Sequence, residues 1–259
     1  MSGVDKSGGD ASVVAVIGDL VGSRRAADRA ALQRSLVAVL HDVNSLVPAL
    51  QPLEPTIGDE FQATYPDLGS ACLAALLVRL ALLDTGADVR AGLGAGTTTV
   101  VDPAATPPVL DGPAWWAARR AVETAERLAA SPRSRSARTW FVDRSAPVPG
   151  DDARHHDHDH DDDEHGDVSA AAGANAFLAV RDDVIARMSP RARRLLAHQL
   201  RGHPQQVVAQ AEGVTQPAVS QALARSGALA VWRGQQLLAQ HRLASQVRAD
   251  LAPARRGDG

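Results

Sequence analysis

Cysteine, tyrosine and lysine are almost absent from this chain. Its 259 residues include one cysteine, Cys72, one tyrosine and one lysine, and aromatic residues make up 3% of the total. A single cysteine excludes an internal disulfide and suggests a reducing compartment, so we expect a cytoplasmic protein. No apolar run approaches the roughly 20 residues of a membrane span, and the polar start lacks a signal-peptide pattern. We therefore expect no membrane partner.

Charge is distributed unevenly along the chain. Residues 1–150 hold 14 basic and 16 acidic residues, residues 151–188 hold 3 and 11, and residues 189–259 hold 10 and 3. A basic terminal segment suggests a polyanionic partner. The acidic middle contains eight aspartates and five of the nine histidines between Asp151 and Asp167. Because it has no apolar periodicity, we predict a disordered linker, with weak binding of Zn²⁺ or Ni²⁺ as the alternative.

The N-terminal part shows alternating strand and helix patterns in the order β-α-β-β-α-β. Apolar periodicity and turn signals predict strands over 12–17, 53–57, 61–65 and 89–101, and helices after Asp28 and over 68–83. A helix from Pro113 to about residue 130 and a strand over 139–142 follow. This is the ferredoxin-like split βαβ order with an addition, and it places the first strand beside a hairpin strand.

Two short motifs place carboxylates next to apolar strand residues. Ile17-Gly18-Asp19 ends the first strand, and Ile57-Gly58-Asp59-Glu60 forms the hairpin turn. Buried charge is costly unless it is paired or binds a cation, and the predicted topology brings both aspartates to one edge of the sheet. We therefore predict a Mg²⁺ or Mn²⁺ site formed by Asp19 and Asp59, with Glu60 as a third ligand or a neighbour. A tight Gly-Asp-Glu turn without function is the alternative.

These motifs resemble those of the class III nucleotide cyclases. Residues 16–23, VIGDLVGS, resemble the first metal-binding strand of these enzymes, and TIGDEF resembles the second metal-binding hairpin and the GGDEF signature of diguanylate cyclases. GPAWWAAR, residues 112–119, resembles the cyclase helix that carries an Asn and an Arg. The resemblance implies catalytic roles for Asp19, Asp59 and Arg119, and a nucleotide cyclase- or palm-like fold. Trp116 stands in place of the Asn, and Pro55 in place of a base-reading Lys.

The turn after the first strand carries the phosphate-binding residues that the resemblance implies: Gly22, Ser23 and Arg24. A glycine there lets the backbone approach a triphosphate, and arginine offers forked donors to phosphate oxygens. The full combination of an IGD-x-x-GSR strand, a GDEFQ hairpin, a G-P-A-x-W-x-A-R helix and a C-terminal helix-turn-helix resembles the SatD family.

The C-terminal part matches the twenty-residue helix-turn-helix pattern over residues 205–224. Gly213 stands at the turn, and Thr215 is positioned to cap the second helix. The residues that this helix would offer to DNA are Thr215, Gln216, Ser220, Gln221 and Arg225. The segment resembles the DNA-binding modules of sigma factors and LuxR-type regulators. A helical bundle for protein contacts is the alternative, and the apolar surface of the last helix, 228–247, suggests either packing on the module or a homodimer contact.

We thus predict an α+β, ferredoxin-like domain over 12–145, a linker over 146–171 and an all-α helix-turn-helix domain over 172–250. The predicted function is a DNA-binding transcriptional regulator whose cyclase-like domain binds a nucleotide or metal ligand. The alternative is an active Mg²⁺- or Mn²⁺-dependent nucleotidyl cyclase or nucleotidyltransferase with a helical targeting module. A scaffold with neither activity is a third possibility.

Overall fold

The computed structural model describes residues 12–23, 28–56, 58–105, 108–145 and 168–250, and for 168–169 and 241–250 it describes the backbone alone. Its N-terminal elements are β1 (Val13–Leu20), α1 (Arg29–Leu46), β2 (Gln51–Pro55), β3 (Glu60–Tyr65), α2 (Leu68–Asp84), β4 (Val89–Gly96), β5 (Thr99–Asp102), β6 (Val109–Asp111), α3 (Pro113–Ala130) and β7 (Thr139–Asp143). Then follow α4 (Val168–Arg187), α5 (Pro190–Leu200), α6 (Gln205–Ala211), α7 (Gln216–Arg225) and α8 (Ala228–Asp250). No helix within these ranges is long and apolar enough to cross a membrane.

Five strands form one sheet in the order β2-β3-β1-β4-β7. β1 runs antiparallel to β3 and β4, and β7 runs parallel to β4. This is the strand order of a split βαβ arrangement with one added strand. The predicted α+β class is confirmed, and β1 lies beside a hairpin strand as expected.

One predicted strand is wrong. The strand expected over 89–101 ends at Gly96, and residues 99–102 form β5, which pairs with β6 in a separate two-stranded sheet. The chain leaves the main sheet because the carbonyl of Thr97 accepts the N–H of Ala114, at the start of α3, at 3.2 Å. The local apolar pattern gives no sign of this contact because its partner lies in the next helix.

The two faces of the sheet pack against different helices. In β1, Val14 and Val16 belong to a core shared with α1 and α2, whereas Ala15 and Ile17 pack against α3. Side chains alternate between the faces of a strand. Asp19, two residues after Ile17, therefore lies on the α3 face.

α3 lies directly on the backbone of β4. A Cβ added to Gly92 or Gly94 would come within 2.2 Å of the α3 backbone, at Val122 or Ala118. The glycines of β4 are therefore explained by close packing, which sets the distance between α3 and the carboxylate end of β1.

Helix starts predicted from local signals are confirmed. The side chains of Asp28, Asp67 and Thr215 each accept an N–H from the first turn of the helix that follows. Gly213, in the turn between α6 and α7, has a φ of 64°, the left-handed conformation expected for this glycine.

The C-terminal helices pack against the N-terminal elements. Leu76 and Leu80 of α2 belong to a hydrophobic cluster with α5, α6, α7 and α8. The side chain of Asn175 in α4 accepts the N–H of Phe141 at 2.8 Å and donates to its carbonyl at 2.9 Å. α4 begins at Val168, inside the segment predicted as a linker, and the rest of that segment, 146–167, lies outside the described residues.

A buried ion-pair network fastens α4 to the sheet. Asp182 is fully buried, and its Oδ1 lies 3.1 Å from Nη1 of Arg79 and 3.2 Å from Nη2 of Arg181. Its Oδ2 accepts the backbone N–H groups of Arg138 at 2.8 Å and Thr139 at 2.7 Å. A buried carboxylate is stable only with such partners, so the position of α4 relative to α2 and β7 is fixed.

Candidate functional site

Asp19 is paired with an arginine from the neighbouring strand. Its Cα partners in the sheet are Glu60 of β3 and Arg90 of β4. Nη1 of Arg90 lies 3.1 Å from Oδ2 of Asp19 and 3.0 Å from Oε1 of Glu126 in α3. One guanidinium nitrogen is therefore shared by two carboxylates.

The second carboxylate oxygen of Asp19 is short of partners. Oδ1 is buried and has no hydrogen-bond partner among the described residues. Burial raises the pKa of Asp19, Arg90 opposes that rise, and the charges of Glu126, Asp59 and Glu60 add to it. The surroundings of Asp19 therefore disfavour its ionised form, and a further positive group beside it would favour ionisation.

Asp59 lies in the turn between β2 and β3 and borders a cleft. Its Oδ2 accepts a short hydrogen bond from the hydroxyl of Ser23, and its carbonyl accepts the N–H of Leu20 at 3.2 Å. The hairpin is thereby tied to the end of β1. The cleft has a volume of about 280 Å³, and Arg29 and Gln33 of α1 line it together with Ser23 and Asp59. It adjoins the first turn of α1, where the helix dipole favours an anion.

Glu60 and Arg119 form a two-pronged ion pair. Nη1 of Arg119 donates to Oε1 of Glu60 at 3.0 Å, and Nη2 donates to Oε2 at 2.9 Å. These hydrogen bonds raise the pKa of Arg119, so it stays charged. Both side chains are partly exposed. Glu60 is thus a partner of Arg119 in this structure.

The predicted phosphate-binding residues follow β1 directly. Gly22 has a φ of 74°, and nothing lies within 4 Å of a Cβ built on it. Ser23 is buried and engaged with Asp59. Arg24 lies outside the described residues.

Among the described residues, acidic side chains outnumber basic ones at this edge of the sheet. The carboxylates are those of Asp19, Asp59, Glu60 and Glu126, and the guanidinium groups are those of Arg90, Arg119 and, across the cleft from Asp59, Arg29. In the described part of the chain, no three His, Cys, Asp or Glu side chains form a group that could hold a metal ion. The donor set fits a hard cation that takes one or two carboxylates and completes its shell with water and phosphate, because Asp19 Oδ1 is unpartnered and the local charge is negative.

Two residues of this cluster escape prediction from the sequence. Arg90 is 71 positions from Asp19, and their contact depends on the register between β1 and β4. Glu126 joins them only because α3 packs on that face of the sheet. A charged residue inside an otherwise apolar strand is the signal that could have identified Arg90, since such a charge needs a partner.

Residues 13–127 match the model of the SatD family. This segment of the chain belongs to the SatD family. Every described residue of the cluster, from Asp19 to Glu126, lies in the SatD-family segment, and the C-terminal helices lie outside it. No curated protein matches the chain.

The chain has distant likenesses among solved structures. A bacterial light-regulated adenylyl cyclase is 15% identical, with a TM-score of 0.38, and the match covers 45% of this chain and 41% of that one. The catalytic core of a rhodopsin-guanylyl cyclase with converted specificity, in complex with ATPαS, is 20% identical, covers 44% and 72%, and has a TM-score of 0.35. A non-canonical dimeric guanylyl cyclase domain from the aquatic fungus Blastocladiella emersonii is 20% identical, covers 44% and 74%, and has a TM-score of 0.32.

The residues predicted to contact DNA share an exposed face of α7 and its cap. On the opposite face, Val219 and Leu223 are buried against the other C-terminal helices. The exposed residues are Thr215, Gln216, Ser220, Gln221 and Arg225. A partner can therefore reach all five without any rearrangement of the helices.

Proposed function

We propose that the SatD-family segment binds a nucleotide polyphosphate together with Mg²⁺ or Mn²⁺. The observation that carries this proposal is the end of β1, where Asp19 has a buried oxygen without a partner and the next residue, Leu20, lines the cleft that Asp59 and Ser23 border. A cation held by the two aspartates and by phosphate oxygens would supply the missing positive charge.

The cleft suits the phosphates of the ligand. Its volume of about 280 Å³ is small for a site that encloses a whole nucleotide. The exposed backbone of Gly22 offers a donor next to Ser23, Arg29 offers its charged guanidinium group, and the first turn of α1 offers its dipole. In this proposal the base and sugar extend beyond the cleft.

We further propose that α7 binds DNA and that the chain is a nucleotide-responsive regulator of transcription. The exposed polar face of α7 and the basic charge of residues 189–259 support DNA binding. The exposed Leu229 and Leu237 of α8 support the predicted homodimer, which would suit a palindromic site.

A continuous set of contacts would couple the proposed nucleotide site to the proposed DNA-binding helices. The N–H of Val21 donates to the carbonyl of Asp88 at 2.9 Å, and the carboxylate of Asp88 pairs with Arg79 at 3.0 Å and Arg138 at 2.7 Å. Arg79 also binds Asp182 of α4. A ligand that moves the end of β1 would thus act on α4, from which the DNA-binding helices follow.

Fluorescence anisotropy with labelled duplexes of random sequence tests the DNA proposal at several salt concentrations. We expect binding that weakens steeply with salt, and a loss in Arg225→Ala that the exposed control Arg133→Ala does not show. Addition of ATP or GTP with Mn²⁺ is expected to change the affinity. Absence of salt-dependent binding under every condition would contradict DNA binding, while leaving the nucleotide site open to its own test.

The second candidate function is turnover of the nucleotide by a cyclase or nucleotidyltransferase. It is favoured by the position of Arg119, which lies on α3 beside the hairpin where a phosphate-stabilising arginine would be needed. Both terminal nitrogens of Arg119 donate to Glu60, so turnover would require this ion pair to separate. Mass spectrometry of products from ATP or GTP with Mn²⁺ tests it. Product that Asp19→Ala and Asp59→Ala both abolish would support catalysis, and absence of product would exclude it.

A further inference from the structure

Arg90 forms ion pairs with two acidic side chains at once. It is nine-tenths buried between β4 and α3, and its Nη1 contacts both Asp19 and Glu126. Its Nε is buried and has no partner in the described residues. Glu126, in contrast, has a side chain that is 65% exposed and free to adjust its position.

A cation and Arg90 would compete for the same carboxylate. Two positive groups at Asp19 repel each other, and the repulsion is strong where burial lowers the local dielectric constant. Arg90 cannot move far, because its strand lies between β1 and β7 and α3 packs on it. Glu126 is already in contact with the guanidinium and can keep it neutralised when Asp19 turns to another partner.

We propose that Arg90 is a displaceable internal counter-ion, which occupies Asp19 while no divalent cation is bound and is retained by Glu126 when a cation takes its place. This inference rests on the proposed cation site at Asp19 and Asp59. Its consequence is that a bare cation binds weakly, whereas a cation that carries phosphates binds better because their negative charge offsets Arg90.

Titration with Mn²⁺ alone, followed by the electron paramagnetic resonance of the free ion, measures the affinity of each variant for the bare cation. The variants are Arg90→Met, Glu126→Gln, the two combined, Asp19→Asn, and Glu123→Gln as a control on the same exposed side of α3. Arg90→Met is expected to bind Mn²⁺ on the order of tenfold more tightly than wild type, because the competing charge is gone. Glu126→Gln is expected to bind Mn²⁺ more weakly than Glu123→Gln. Without Glu126, Arg90 pairs with Asp19 alone, so Asp19 is less available to the cation.

The double variant separates this mechanism from a general loss of negative charge. If Glu126 acts through Arg90, its substitution has little additional effect in the Arg90→Met background. The inference is overturned if Arg90→Met binds Mn²⁺ no more tightly than wild type, or if Glu126→Gln costs the same with and without Arg90. Should Arg90→Met fail to fold, the comparison of Glu126→Gln with Glu123→Gln decides, since equal affinities contradict the inference.

The same titration distinguishes failure of the inference from failure of the site. Mn²⁺ binding that Asp19→Asn abolishes but that the Arg90 and Glu126 variants leave unchanged would remove the inference and keep the proposed function. Mn²⁺ binding that is absent in every variant, or indifferent to Asp19→Asn, would overturn the inference, and a titration of ATP in the presence of Mn²⁺ would then decide the proposed function separately.

Discussion

Among single residues, the sequence identifies the candidate carboxylates better than their partners. Asp19 and Asp59 stand out because a charge beside an apolar strand is anomalous in the local pattern. Arg90 and Glu126 contact Asp19 through strand register and helix packing, which no local pattern encodes. Of the two adjacent tryptophans, the structure buries Trp115 and exposes Trp116.

The glycine after β1 allows a test of phosphate approach at one residue. Gly22 and Gly86 both have a positive φ and open space around a built Cβ. Substitution of either by alanine should cost about 1–2 kcal/mol of stability from left-handed backbone strain. Only Gly22→Ala should weaken nucleotide binding beyond that shared cost. Equal nucleotide affinity in the two variants would show that Gly22 has no part in the site.

Cys72 should be inert in the native protein. It is fully buried, and burial raises the pKa of its thiol from 9.0 to about 12. The folded state therefore holds the proton more tightly than the unfolded state, so this residue contributes a loss of stability as the pH rises from about 9 to about 12. A thiol reagent at pH 8 should label the protein only after denaturation. Rapid stoichiometric labelling of the native chain would contradict the burial of Cys72.

At the scale of elements, local signals set the helix starts and tertiary contacts set the strand ends. Caps at Asp28 and Thr215 are predicted because the acceptor and the N–H that it binds are three residues apart. The end of β4 is missed because it depends on the contact between Thr97 and α3. The packing of α4 against β7 is not predicted from the sequence either, because it too depends on a tertiary contact.

The packing of α3 on β4 predicts a large difference between two glycine substitutions. Gly92→Ala places a methyl group 2.2 Å from the α3 backbone, whereas Gly173, inside α4, has nothing within 4 Å of a built Cβ. Gly92→Ala should cost about 3 kcal/mol or more, because backbone must move to relieve the overlap. Gly173→Ala should stabilise the protein by up to about 1 kcal/mol. Urea denaturation measures both, and a mild effect of Gly92→Ala would contradict the packing.

The buried network at α4 predicts a similar contrast between neighbouring aspartates. Asp182→Asn leaves the buried Arg181 without its carboxylate and Arg79 with Asp88 alone, and should cost about 3–5 kcal/mol. Asp183, half exposed and paired with Arg187, should tolerate Asn within about 0.5 kcal/mol. Urea denaturation of the two variants measures the difference. Equal stabilities would mean that α4 is not fastened to the sheet through Asp182.

At the scale of the whole molecule, α2 connects the two halves. Its side chains belong both to the core beneath the sheet and to the cluster of C-terminal helices. Arg79 on the same helix forms an ion pair with Asp88, the residue before β4. The order of strands was predictable from the order of elements. The shared core was not, because the apolar residues of α2 give no indication of which neighbours they face.

The edge formed by Asp19 and Asp59 is proposed to bind a nucleotide through a divalent cation. Titration of fluorescent analogues of ATP and GTP, with Mn²⁺ and with a chelator instead, tests it on wild type, Asp59→Asn and the exposed control Asp102→Asn. We predict binding that requires Mn²⁺, weakens at least on the order of tenfold in Asp59→Asn, and is unchanged in Asp102→Asn. Failure of both nucleotides to bind, or binding indifferent to Mn²⁺ and to Asp59→Asn, would contradict the claim.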